Sequence, residues 1–345
     1  MARRLTIPVL LPLALLAALA EAPISRAMPS RSHVATNLRT VTLGMGYVPS
    51  VQFAPFYMAD QRGYYRQAGI KVNFSYGISP NLLQLVGAGR DEFAIADGTD
   101  TIAASANGIP ITDVLTLYQR LPVAIFALKK SGIRSVSDLR GKSIGVPGRF
   151  GSTYAGLLAT LHSAGLGPKE VSIKAINFTQ AESVVKGSVD AGVGYSNNEP
   201  VLLRRHGYRI QTIETGAATN LVGPGVVTGR GLIARDPQLV HRFVQATLRG
   251  LADTIAHPSM AFAAARRIHG LSTLRGRDVA DQYAVLLRSI AFWHNHATRT
   301  HGLGYADPLQ WRQSVQTLKA IGQVPHATGL ASLETNRFSM GAAKR

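Results

Sequence analysis

Tyr47, Gln52, Phe53 and Tyr57 set three aromatic rings and one carboxamide along a single short stretch. Aromatic faces stack on planar heteroaromatic rings, and a carboxamide offers both a donor and an acceptor to a ring edge. Phe53 and Phe56 are also spaced to share one helix face, so a place in the core fits them as well as a ligand wall does. A second polar stretch, Asp97-Gly98-Thr99-Asp100, separates an apolar run from a helical pattern. Its backbone N–H groups and the Thr99 hydroxyl suit a polar ligand edge, and Asp97 suits an exocyclic amine. Helix capping by Thr99 or Asp100 is the structural alternative. A third stretch, Gly148-Arg149-Phe150-Gly151-Ser152, is a Gly-rich loop ahead of a helix. Free N–H groups and the helix dipole there favour an anion, a hydroxyl or a ring carbonyl, and Ser152 serves equally as a cap. The fourth joins Tyr195 to Asn197-Asn198-Glu199. The Glu199 carboxylate pairs naturally with an amino-substituted, protonatable ring, or fills the acidic first turn of a helix.

Several chemistries find no support. There is no cysteine, which removes disulfides, thiolate metal sites and cysteine nucleophiles. Gly44-Met45-Gly46 lacks the third glycine of a dinucleotide loop, and Gly141-Lys142-Ser143 lacks the upstream glycine of a P-loop. No nucleophile elbow occurs. His294, His296 and His301 cluster near a helix end without evident ligand partners, and read as solvated histidines rather than a metal site. No catalytic residue, cofactor or metal is expected.

The elements that must position these stretches alternate. Strands are expected at 41–45, 70–74, 93–96, 123–128, 143–146, 190–195 and 226–228, with helices between them and a mostly helical remainder from Pro237 onward. Ser79-Pro80 reads as a cap followed by proline in a first turn. Such alternation implies α/β lobes with largely parallel sheets, in which ligands sit beyond the carboxyl ends of strands. All four stretches occupy loops of that kind. About 300 residues beyond the N-terminal region suit two lobes, and we divide them as 39–120 with 229–345, and 121–228. Tyr118 and Arg120 then lie where the chain first passes between lobes, lining the cleft or serving the crossing.

Met1-Ala2-Arg3-Arg4 followed by an apolar run to Ala20 resembles a secretory signal peptide over 1–20, with 21–38 a flexible segment. Ala18-Leu19-Ala20 offers a cleavage site, and the run is short and proline-interrupted for a membrane span. Without cysteine there is no lipid attachment, so a periplasmic, non-lipidated monomer is expected. The net charge of +18 is spread along the chain with no compact basic run, so we read a solvated basic surface rather than a nucleic-acid partner.

Residues 46–59 (GYVPSVQFAPFYMA) and 63–72 (GYYRQAGIKV) closely resemble the opening of ABC-transporter periplasmic solute-binding proteins of the SsuA/THI5-like (NMT1) family. The resemblance continues through 85–89, 93–96, 137–146 (SDLRGKSIGV) and 190–195 (DAGVGY), covering most of residues 40–235. The segments 148–152 (GRFGS) and 197–200 (NNEP), and the tail 304–321, resemble the branch that binds thiamine pyrimidine precursors or riboflavin. The resemblance implies a type II-like clam-shell, a small-molecule cleft crossed by a double hinge, and membrane permease and ATPase partners. It also leaves two other functions: a THI5-like thiamine pyrimidine synthase, whose relatives carry a cysteine-rich motif absent here, and an alkanesulfonate- or nitrate-type anion receptor.

Overall fold

The structure is a computed structural model that describes residues 38–215, 219–325 and 332–340. The segment read as a signal peptide lies outside the described residues. No helix among those described is long and apolar enough to cross a membrane.

Among the described residues ten strands form two five-stranded sheets. The first holds β1 (Arg39–Gly44), β2 (Ile70–Ser75), β3 (Phe93–Ala96), β4 (Ile111–Thr116) and β10 (Gly225–Gly229) in the order β2-β1-β3-β10-β4. The second holds β5 (Val123–Leu128), β6 (Ser143–Val146), β7 (Ser172–Ala175), β8 (Ala191–Tyr195) and β9 (Ile210–Glu214) in the order β7-β6-β8-β5-β9. The two orders are the same pattern. β1 pairs parallel with β2 and β3, and β6 pairs parallel with β7 and β8. β10 runs antiparallel to β3 and β4, and β5 runs antiparallel to β8 and β9. The sheets are therefore mixed, not largely parallel in their pairing. The reason is the crossing. Each reversed strand is the first after the chain changes sheets. It enters from the edge where the other strands end, so it must run the opposite way. Residues 225–229, in the region where the sequence reading closed the second lobe, lie inside the first sheet.

The crossings themselves, 117–122 and, among the described residues of the return, 219–224, run side by side. Tyr118 N–H donates to the Pro224 carbonyl at 2.8 Å and Leu121 N–H to the Leu221 carbonyl at 3.0 Å. The helix Pro308–Ala320 lies across both. Gln310 Nε2 donates to the carbonyls of Gln119 (3.3 Å) and Leu221 (3.4 Å), and Ser314 Oγ accepts from Val222 N–H at 2.9 Å. Its apolar side, Trp311, Val315 and Leu318, joins the core of the second sheet.

The first sheet is covered by helices whose apolar residues recur at helical spacing. In Pro237–Ala256 the buried residues Leu239, Val240, Phe243, Val244, Thr247, Leu248 and Leu251 form one stripe. Phe243 stacks on Phe93 at 3.9 Å between centroids and on Tyr65 at 5.3 Å. Helix α1 (Ala54–Gln61) packs on that helix so closely that a Cβ at Gly250 would stand 2.3 Å from the Pro55 carbonyl oxygen. One helix start differs from expectation. Ser79 is the first helical residue of the helix Ser79–Gly87, with Ile78 in the capping position, so its hydroxyl is released from the backbone. The helix Arg277–Ile290 ends well ahead of the His294–His301 cluster, and Asn295, accepting from Thr298 N–H at 2.9 Å, starts a separate turn there.

Candidate functional site

Between the sheets lies a cavity that opens to solvent. Seven strands contribute through the loop or helix start that follows each of them. From the first sheet come Tyr47, Gln52 and Phe53 after β1, Ile78-Ser79-Pro80 after β2, Asp97 and Asp100 after β3, and Leu117 and Tyr118 after β4. From the second come Phe150 to Thr153 after β6, Phe178 and Gln180 after β7, and Tyr195, Asn198 and Glu199 after β8. This is the geometry expected at the carboxyl edge of α/β sheets.

The walls are aromatic. Phe150 and Phe178 are 48% and 54% exposed although bulky and apolar, and Ile78 is 37% exposed. Large apolar side chains left uncovered together in a concave site mark a surface awaiting an apolar partner. Tyr47 and Phe178, from opposite sheets, meet edge to face with centroids 5.4 Å apart. Burial, then the charge of Glu199, raises the Tyr47 phenol above its ordinary value, so Tyr47 and Glu199 sense one another across the cavity.

The polar lining is acidic. Tyr195 Oη donates to Asp97 Oδ1 at 2.5 Å, a bond from one side of the cleft to the other, and Ser152 Oγ lies 3.4 Å from Tyr195 Oη. Burial raises the Asp97 carboxyl, against the stabilising hydroxyls of Ser152 and Tyr195. Burial and the neighbouring Asp97 charge push Asp100 up to about 7. Burial pushes Glu199 up to about 7, even though its carboxylate accepts from Tyr195 N–H at 2.9 Å. That carboxylate folds back over Gly194, where a Cβ would stand 2.7 Å from it. The buried Ser79 hydroxyl lies beside Asp100, whose charged form it favours against burial.

Of the residues singled out in the sequence, Tyr47, Gln52, Phe53, Asp97, Tyr118, Phe150, Ser152, Tyr195 and Glu199 line the cavity. Five others do not. Tyr57 points behind the wall, its Oη 3.0 Å from Tyr76 Oη and its ring edge-on to Phe74. Gly98 packs against the return crossing, where a Cβ would stand 2.2 Å from Val222. Thr99 is buried in the first turn of its helix with an unpartnered hydroxyl. Arg149 turns away and donates to the Ile173 carbonyl at 3.1 Å. Asn197 is buried between the lobes, donating to Ser289 Oγ at 2.7 Å, while its neighbour Asn198 faces the cavity. Sequence reasoning missed Ser79, Asp100 as a wall residue, Phe178 and Gln180. Among the described residues no group of three or more His, Cys, Asp or Glu converges as a metal site. His301 instead stacks on Tyr305 at 4.3 Å.

A family model described as NMT1/THI5 like matches residues 50–261. The chain is 37% identical over 348 residues, covering 99% of each chain, to the riboflavin-binding protein RibY of Chloroflexus aurantiacus. It is 29% identical to the 4-amino-5-hydroxymethyl-2-methylpyrimidine phosphate synthase of Legionella pneumophila, over 64% of this chain and 71% of that one. Among solved structures, the alkanesulfonate-binding protein SsuA of Xanthomonas axonopodis pv. citri, bound to MOPS, superimposes with a TM-score of 0.67 at 17% identity, covering 86% of this chain and 98% of that one. At that identity the likeness concerns the fold: two α/β lobes of the periplasmic binding protein type with a cleft between them. With the family model spanning more than half of the chain and a relative matched along its whole length, the chain belongs to the NMT1/THI5-like family.

Proposed function

We propose that this chain is the exported receptor of an ABC importer and captures a small heteroaromatic vitamin precursor, riboflavin or the thiamine pyrimidine, between its lobes. The observation that carries this reading is the pair of aromatic walls. Tyr47 and Phe53 from one sheet and Phe150 and Phe178 from the other line one cavity, with the Glu199 carboxylate in its polar lining. A planar ring entering that cavity has aromatic side chains of either lobe to pack against. Its polar edge then reaches Gln52, Asp97, Ser79 and Asn198. The whole-length likeness to a riboflavin-binding protein supports the same class. A synthase reading has the weaker relative and lacks the expected cysteine-rich motif. In this reading 117–122 and 219–224 form the hinge, residues 1–20 are removed on export to the periplasm, and the mature protein is a non-lipidated monomer that meets a membrane permease and its ATPase.

Thermal denaturation with each ligand class tests the reading. Binding to the folded chain alone stabilises it by about 2.7 kcal/mol at a hundredfold excess over Kd. Riboflavin or the pyrimidine should raise the melting temperature, and an alkyl sulfonate or nitrate should not. The opposite pattern overturns the heteroaromatic assignment. Intact Met1 on protein recovered from the periplasm overturns the cleavage.

A further inference from the structure

The helix Gly151–Ser163 begins in the cleft, and first turns of this kind hold phosphate and sulfonate groups through free N–H groups and the helix dipole. In this chain a carboxylate of the opposite lobe already faces that turn. Asp97 accepts from Tyr195 Oη at 2.5 Å and lies beside the Ser152 hydroxyl, in the first turn of the helix. Asp100 and Glu199 add two more carboxyl groups to the same lining. Among the described residues that line the cavity there is no Lys, Arg or His, in a protein whose net charge is +18. The two nearest arginines in sequence are directed elsewhere. Arg149 donates to the Ile173 carbonyl, and Arg120 lies over the Phe292 ring at 4.4 Å.

A phosphate monoester carries about −1.5 to −2 charges at neutral pH. Enclosing it beside carboxylates, with no cation to pair it, adds repulsion to an uncompensated loss of hydration. A hydroxyl in the same place instead donates to the carboxylate, a charge-assisted bond. Resting on the heteroaromatic reading above, we propose that the cleft takes the unphosphorylated alcohol and excludes its phosphate ester, with Asp97 as the residue that sets the choice. The protein's own carboxylate holds the place that an anionic group would need.

The test compares matched pairs by calorimetric titration of the purified protein at pH 8: riboflavin with flavin mononucleotide, and 4-amino-5-hydroxymethyl-2-methylpyrimidine with its phosphate. The expected result is that the alcohol of the recognised pair binds about a hundredfold more tightly than the ester, the scale of two charge-assisted hydrogen bonds. Asp97→Asn should shrink that ratio about tenfold, and Asp100→Asn less. A ratio of two affinities measured on one protein does not move with a general loosening of the fold, and the wild-type ratio stands without any variant. An ester bound as tightly as its alcohol overturns this inference while leaving the heteroaromatic reading intact. An unchanged ratio in folded Asp97→Asn overturns the role of Asp97. Binding of neither member of either pair overturns the heteroaromatic reading and this inference with it.

Discussion

Glu199 combines two properties that a solvated carboxylate lacks. It is enclosed, and the donors it has are backbone N–H groups, its own and that of Tyr195. Its folded value of about 7 exceeds its ordinary value of 4.5. The folded chain therefore holds a proton that the unfolded chain releases, so this share of stability is full below pH 4.5 and is lost as pH rises through 7. Asp100, at about 7, and Asp113, buried in β4 and pushed up to about 8, slope the same way. The melting temperature of the free protein should thus fall between pH 5 and pH 8, and Glu199→Gln should flatten part of that fall. An equal slope in the variant would place the Glu199 carboxyl in solvent. In the ligand-bound protein, Glu199→Gln and Tyr47→Ala should each weaken binding about tenfold, the scale of one charged hydrogen bond or one lost stacking face. Titration of the two variants checks this. At this scale the sequence was legible where a side chain followed directly on an apolar strand, as Asp97 does after Ala96. Tyr57 and Arg149 show the limit: residue type and loop position do not fix which way a side chain turns. Tyr76 and the Ile173 carbonyl, distant in sequence, decide it for them.

The helix Glu199–Arg205 and the strand before it act as one unit, because the carboxylate of the helix's first residue folds back onto the strand end at Gly194. Gly194→Ala introduces a Cβ that would stand 2.7 Å from that carboxylate, and the end of a flexible side chain yields where backbone would not. The variant should keep its melting temperature within a degree or two while losing several-fold in ligand affinity, read by denaturation and titration on one sample. A large drop in melting temperature with unchanged affinity would mean that the carboxylate has no fixed place in binding. Elements written as buried apolar runs, such as β3, β5 and β6, are visible in the sequence at their true bounds. β4, with the sequence ITDVLT, is buried throughout yet carries Asp113 and two threonines that no periodicity explains. Asp113 is accommodated because Gly225 on the neighbouring strand leaves space: a Cβ there would stand 1.9 Å from the carboxylate. β7 is a four-residue edge strand with one buried residue, too short to register as a pattern. With β7 unseen, the loop after it went unread, and Phe178 and Gln180 with it.

At the scale of the whole molecule, the lobes are joined outside the cleft as well as within it. Asp281, on the helix Arg277–Ile290 that packs with the first sheet, accepts from Arg205 at 2.5 Å and lies 2.7 Å from His206 Nε2, both at the end of the helix Glu199–Arg205. Burial opposes the charge of Asp281, but Arg205 and His206 hold its carboxyl below the ordinary range. Asp281→Ala removes this tie without touching the cavity lining. The ligand-free variant should show a larger radius of gyration by small-angle scattering than the parent protein, and the two should coincide once ligand is bound. Equal radii without ligand would mean that the pair contributes nothing to closure. The antiparallel β5 and β10 follow from the double crossing, and so does a restriction on movement. Two adjacent crossings, bonded to each other and splinted by Gln310 and Ser314, resist sliding and yield to rotation about one axis. A clam-shell restricted in this way acts as a caliper: the thickness of whatever is held in its jaws appears on its outer face as an angle.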